Sequence, residues 1–228
     1  MNNEIHQRTV ALIGAEKLKQ LAKSWVAVIG LGGVGSFALE ALARSGIGHL
    51  TIVDFDHIEA ANINRQLPAL QTNIGKLKTQ VAAERIQAIN PDIIVDVISA
   101  RYQKDNHYAI ISKEMSYVID AIDDIEAKIA LITACANDNM PIISSMGTAR
   151  RLNPANLLID NIYNTSVCPI ARKVRKGLRK AGLEKGVEVV YSIEEPVFFD
   201  SASLGSMVFV PGSAGLLLAA HVVEKLLQ

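Results

Sequence analysis

Apolar residues in this chain fall into two patterns that alternate from residue 26 to residue 145. Short runs dominated by Val, Ile and Leu occupy 26–30, 50–54, 93–98, 117–121 and 141–145. Their length and their lack of a polar alternate suit strands buried on both faces. Between them, apolar residues recur every three or four positions. Phe37, Leu39, Ala41 and Leu42 mark a helix over 36–45 that Gly46 and Gly48 stop, and Leu77, Val81, Ile86 and Ile89 mark another over 75–89 that ends at Asn90-Pro91. A third helix is predicted over 125–137. Strand and helix in strict alternation imply an α/β fold with a doubly wound, mainly parallel sheet.

Beyond Arg150 the pattern changes. Asn153-Pro154 makes a turn, and 157–162 reads as a strand returning beside its predecessor, which predicts a mixed C-terminal extension of the sheet. Ala171, Val174 and Leu178 form one face of a helix. Further strands are predicted at 187–191 and 207–210, and a closing helix over 212–227. There is no internal repeat or low-complexity linker, so the 228 residues read as a single domain with an N-terminal helical arm at 1–24 and a basic crossover segment at 163–186.

Composition narrows the partners. Lys and Arg number 23 and so do Asp and Glu, so no global field draws in a polyanion or a membrane, and any such contact must be local. Cys135 and Cys168 form no Cys-x-x-Cys pair, which argues against a zinc ribbon or a disulfide framework and fits a reducing cytoplasm. The most apolar stretch, 214–223, is too short to span a bilayer, so a soluble chain with no membrane partner is expected.

The candidate chemistry starts at the first strand. Gly30-x-Gly32-x-x-Gly35, with Gly33 inside it, follows a strand and opens a helix. Glycines there let backbone approach phosphate oxygens, and the amides that open the helix offer free donors. Asp54, at the end of the second strand, is placed to accept from ribose hydroxyls, with Asp56 two residues on. Taken alone this is a Rossmann-like dinucleotide fingerprint. The residues that follow point elsewhere: Asn62, Arg65 and Gln66 come soon after, and Lys78 lies near the start of a helix. Cations there can neutralise a triphosphate and hold its pyrophosphate as leaving group, which a nicotinamide cofactor does not require. Asp120 and Asp123 end the fourth strand, where a carboxylate can hold Mg2+ between phosphates.

At these residues the chain resembles the ubiquitin-activating-enzyme-like, ThiF-type adenylating enzymes. The likeness rests on Gly-x-Gly-Gly-x-Gly (Gly30 to Gly35), the acidic strand end (Asp54), Asn-x-x-Arg-Gln (Asn62, Arg65, Gln66), the helix lysine (Lys78) and Asp-x-x-Asp (Asp120 to Asp123). The resemblance implies that these residues bind ATP and Mg2+ and help a substrate carboxylate attack the α-phosphate, with Arg65, Lys78 and Asp123 catalytic. It also implies a homodimer in which Arg8 reaches the partner's site.

Within that family the chain is similar to tRNA threonylcarbamoyladenosine dehydratases in 41–48, in 83–91 and in 117–123. That branch activates the carboxylate of a modified adenosine and lets a group of the same substituent expel AMP, so no enzyme cysteine is needed. Members that activate a sulfur-carrier protein commonly hold zinc on paired cysteines, which this chain lacks; the alternative readings are an adenylyltransferase for the C-terminus of such a small carrier protein, or a non-catalytic nucleotide-binding partner in sulfur transfer, with a cysteine desulfurase or sulfur-acceptor protein as partner. No base is identifiable near Cys168, and both it and Cys135 are expected to pack in the interior. The run Arg172, Lys173, Arg175, Lys176, Arg179, Lys180 is a candidate tRNA phosphate surface. It reads equally as a solvated face balanced by Glu184, Glu188, Glu194 and Glu195. The segment 196–212 is shorter than its counterpart in some dehydratases.

Overall fold

A computed structural model describes residues 4–198 and 204–228; residues 199–203 of the segment before the last helix therefore lie outside the described chain. Helices α1 (Gln7–Ile13) and α2 (Ala15–Lys23) form the N-terminal arm. There follow β1 (Trp25–Ile29), α3 (Gly35–Ser45), β2 (His49–Val53), α4 (Lys78–Ile89), β3 (Ile94–Ile98), a single turn α5 (His107–Ile110), β4 (Tyr117–Asp120), α6 (Ile125–Asn137) and β5 (Ile142–Ser145). The C-terminal part adds β6 (Leu157–Asn161), α7 (Pro169–Lys180), β7 (Glu188–Ser192) and α8 (Phe209–Leu226).

The seven strands run in the order β3-β2-β1-β4-β5-β7-β6, and every pairing is parallel except that of β6 with β7. The mixed, doubly wound α/β sheet expected from the apolar pattern is therefore present. Side chains of β1 alternate between two cores. Val26 and Val28 pack with Leu39, Leu42, Ile86 and Leu218 of α3, α4 and α8, whereas Ala27 and Ile29 pack with Leu131, Cys135, Val174 and Leu178 of α6 and α7. Both faces are covered, which is why these strands carry no polar alternate.

Three expectations need correction. The strand at 157–161 does not lie beside β5. It pairs antiparallel with β7, Leu157 opposite Ser192 through Asn161 opposite Glu188, and β7 stands between it and β5. Residues 207–210 are not a strand, because α8 already begins at Phe209. The helix expected from residue 75 starts at Lys78, since the residues before it are tied to the segment after β2: Ile58 N–H donates to Lys76 O at 2.8 Å, and His57 bridges to Leu77.

With α8 extended to 18 residues, it is long and apolar enough to cross a bilayer by length and composition alone. Half of it is buried within the protein, where Val210, Ala214, Leu218 and Val222 fill the core above α3. A core helix meets the same description.

The chain runs outward from β1 to β3 and then returns to place β4 on the other side of β1. At that reversal the connections after β1 and β4 diverge to opposite faces, opening a crevice at the carboxyl ends of the strands.

Candidate functional site

A cavity of about 360 Å3 fills this crevice. Its floor is the turn from β1 into α3. Gly30 has φ 93°, and a Cβ there would stand 2.7 Å from Ala121 O, so the chain leaving β4 crowds the turn from the other side of the reversal. At Gly35 a Cβ would lie 1.8 Å from Gly30 O. No side chain fits at either position without reshaping the turn, which accounts for the glycine spacing. The amides of Gly32, Gly33 and Val34 have no hydrogen-bond acceptor among the described residues, and all three residues line the cavity. Free amides at the start of an 11-residue helix are a site for phosphate oxygens.

Asp54 is 8% exposed and holds this turn closed. Its Oδ2 accepts from Leu31 N at 2.6 Å and its Oδ1 from Asp56 N at 2.8 Å. The carboxylate expected to meet ribose thus first ties the glycine turn to the end of β2; each oxygen keeps a second lone pair for a ligand. Asn62 and Gln66 are buried in the wall, and Gln66 Oε1 has no donor.

Arg65 and Lys78 both line the cavity. Arg65 Nη1 donates to Ala61 O and Asn64 Oδ1, each at 2.9 Å, and it has no carboxylate partner among the described residues. Lys78 is the first residue of α4, buried, with Nζ 2.8 Å from Asp56 Oδ2. Asp56 was expected to touch the nucleotide. It lines the same cavity, but its carboxylate holds the lysine.

The two aspartates after β4 part company. Asp123 is exposed, lines the cavity and has no partner among the described residues, while Asp124 caps α6 by accepting from Ala127 N at 2.9 Å. Asp120 is completely buried and outside the lining. Its Oδ2 accepts from Lys128 Nζ at 2.8 Å and Ser144 Oγ at 2.5 Å, and its Oδ1 accepts from Ile122 N at 3.0 Å. The expected cofactor contact of Asp120 is replaced by this network, which fixes the start of the turn that carries Asp123. Lys128 belongs to no motif in the sequence. The signal was available: it sits on the stripe with Leu131, Ile132 and Cys135, where an apolar residue is expected. Also unforeseen are Phe55 and Arg101 in the wall, with the guanidinium 4.5 Å from the ring centroid. They follow β2 and β3 in segments without periodicity, so no pattern marked them.

The cysteines pack as expected. Burial, aided by the Asp120 charge, pushes the Cys135 thiol up to about 12. Cys168 is 3% exposed, beside Ile170 and Gly147. Arg8 is exposed on α1 and does not line the cavity of its own chain.

The basic run lies on α7, away from the cavity. Arg172, Lys173, Lys176, Arg179 and Lys180 are exposed and line a shallow groove with Arg175. Arg175 differs from the others: it is half-buried and donates to Thr165 O at 2.5 Å, so it clamps the loop before α7. Two of the acids expected to balance this face are engaged elsewhere, Glu188 with His221 and Lys225, and Glu194 with the amides of Leu152 and Asn153. The exposed face of α7 therefore keeps a net positive charge.

Comparison with known proteins bears on this arrangement. The profile of the ThiF family matches residues 6–228. The tRNA threonylcarbamoyladenosine dehydratase of Bacillus subtilis is 41% identical, over 98% of this chain and 96% of its own length. That of Haemophilus influenzae is 35% identical over 93% and 89%. The crystal structure of the E. coli tRNA N6-threonylcarbamoyladenosine dehydratase in complex with ATP superposes with a TM-score of 0.93, at 34% identity over 98% of this chain and 94% of that one.

Proposed function

The chain belongs to the ThiF family, and from that premise we infer that it is an ATP-dependent enzyme, a dehydratase acting on the threonylcarbamoyl group of modified adenosine in tRNA. ATP lies at the strand reversal, its phosphates on the amides of the turn from β1 into α3. A carboxylate oxygen of the substrate forms a bond to the α-phosphorus, and the bond from that phosphorus to the bridging oxygen breaks, releasing pyrophosphate. A nucleophile of the same substituent then attacks the acyl carbon, and AMP leaves with one of the former carboxylate oxygens. The substrate loses the elements of water while ATP becomes AMP and pyrophosphate. Holding both groups on one substituent supplies a high effective concentration, so no protein nucleophile is required.

The observation that carries this reading is the charge arrangement of one cavity. Arg65 and Lys78 enter from one side of the glycine turn, where a leaving pyrophosphate gathers negative charge, and Asp123 presents a free carboxylate from the other. In this reading the phosphates take over Lys78 from Asp56. Among the described residues no cluster of three or more His, Cys, Asp or Glu could hold a metal ion by itself. One carboxylate together with phosphate oxygens is nonetheless a donor set that suits magnesium. We propose that Asp123 holds Mg2+ there, where the ion would draw charge from the departing pyrophosphate.

We further propose that the chain works as a cytoplasmic homodimer, with Arg8 completing the partner's site. Its exposure outside the cavity of its own chain, next to an 85% exposed Leu12 on the same arm, supports this. The exposed face of α7 is proposed to meet tRNA phosphates.

The test uses the purified chain with ATP and tRNA carrying the threonylcarbamoyl modification. AMP and pyrophosphate should appear in equal amounts, and tRNA without the modification should yield neither. AMP release that ignores the modification would refute the assignment.

A further inference from the structure

A buried guanidinium one residue behind the cavity wall is the feature that this reading leaves unused. Arg151 is 4% exposed. Its Nη1 donates to Ala149 O at 3.0 Å, and Ala149 and Thr148 line the cavity. Nε and Nη2 are buried without a hydrogen-bond partner, and no carboxylate among the described residues pairs with the charge. Those two nitrogens form the side-on edge of the guanidinium, the fork that matches the two oxygens of a carboxylate or phosphate. A buried cation with that edge unpaired is costly, and a bound ion is one of the ways such a group is satisfied.

The loop holds the side chain there firmly. Arg150, with φ 60°, turns outward to lie 4.9 Å from the centroid of the Phe198 ring, and its N–H and C=O bond to Gly205 O and Val197 N. On the other flank, Glu194 accepts from the amides of Leu152 at 3.0 Å and Asn153 at 2.9 Å. Bracing on both sides keeps Arg151 inward despite its desolvation. The loop leaves β5, which lies two strands from β1, or about 10 Å across the sheet, and its Thr148 and Ala149 line the same cavity as the glycine turn.

We propose that the side-on edge of Arg151 is an oxyanion site that receives the carboxylate of the acyl substrate and presents it to the nucleotide. The identity of that carboxylate rests on the dehydratase reading; the existence of the oxyanion site does not. Arg151 is thus a substrate-positioning residue, distinct from the residues that face ATP.

Two measurements on the full-length chain separate these claims. In thermal unfolding at constant ionic strength, acetate replacing chloride should raise the Tm of the wild type and leave that of Arg151→Met unchanged. The Met variant by itself should melt at or above the wild type, because it removes an unpaired buried charge. An acetate effect that is absent in the wild type or persists in the variant overturns the proposal, as does a variant melting several degrees lower. Stabilisation by inorganic phosphate but not acetate would overturn the carboxylate assignment.

In turnover, Arg151→Met should cut kcat/KM for modified tRNA by roughly 10-fold or more, as expected when a charge-assisted bidentate interaction is removed. ATP affinity measured without tRNA should stay within about two-fold, and Arg151→Lys should recover only part of the loss, because an ammonium lacks the fork. An equal loss of ATP affinity would give the edge to the nucleotide and overturn the proposal. If the acetate effect holds while the wild type makes no AMP with modified tRNA, the oxyanion site stands and the dehydratase reading falls.

Discussion

Replacing Lys128 by methionine tests whether the wall of the nucleotide cavity hangs on a buried charge. The lysine and Asp120 are 1% and 0% exposed, with Nζ 2.8 Å from the carboxylate, so neither can exchange its partner for water. Methionine fills most of the lysine volume but leaves Asp120 with only Ser144 Oγ and Ile122 N as donors. Orphaning one member of a buried pair costs about 3–5 kcal/mol. At about 2–4 °C per kcal/mol for a chain of this size, the Tm should fall by about 6–20 °C. Adding Asp120→Leu to Lys128→Met should return most of the stability, since an apolar pair of similar volume avoids the desolvation altogether. The double variant should still bind ATP weakly, because the Ile122 amide that starts the turn to Asp123 has lost its acceptor. Differential scanning calorimetry checks the series. A single Lys128→Met variant that melts within a degree of the wild type would refute the reasoning.

Other outcomes follow from the same geometry. Arg65→Ala and Lys78→Met should each slow AMP formation on the order of 100-fold with the fold intact by circular dichroism, as for loss of one group that stabilises developing charge; full activity in either would remove that residue from the leaving-group site. Lys173→Glu together with Lys176→Glu should weaken tRNA binding and reduce the slope of log K against log salt by about 2, close to one unit for each phosphate no longer neutralised; an unchanged slope in filter binding would relegate α7 to solvated surface. Arg175→Ala should behave differently, lowering the Tm because it frees the loop carbonyl of Thr165. With its thiol pushed up to about 12 by burial, Cys135 should resist alkylation at pH 8 in the native protein and react only on unfolding; rapid labelling of Cys135 in the folded chain, mapped by peptide mass spectrometry, would contradict its burial.

Much of the site was legible because its chemistry sits where local pattern is strongest. Gly30 to Gly35 follow an apolar strand and open a helix, and their backbone constraint, a Cβ 1.8 Å from Gly30 O, is set within six residues of chain. Asp54, Lys78 and Asp123 come at strand and helix ends, where the hydrophobic period stops and polar side chains become visible. The alternation of the first five strands with helices likewise follows from residues that must be buried on two faces. Determined by the sequence alone, then, were the doubly wound sheet, the glycine turn and the order of charged groups around it.

Only the tertiary structure decided which of those charges face the cavity and which face each other. Asp120 and Asp123 are three residues apart and look alike in sequence, yet Asp120 turns into the interior because Lys128 and Ser144 reach it from α6 and β5. Arg175 resembles its neighbours on α7 in sequence, but Thr165 lies beneath it, and nothing local marks Arg151 as buried and Arg150 as only half-buried. The place of the strand at 157–161 depends on β7, which begins 31 residues later in the chain and stands between it and β5. A side chain's period along the chain tells which face of its own element it occupies. Its partner is set by which other elements arrive at that face, and at a sheet reversal those come from distant segments whose approach depends on the packing of the whole domain.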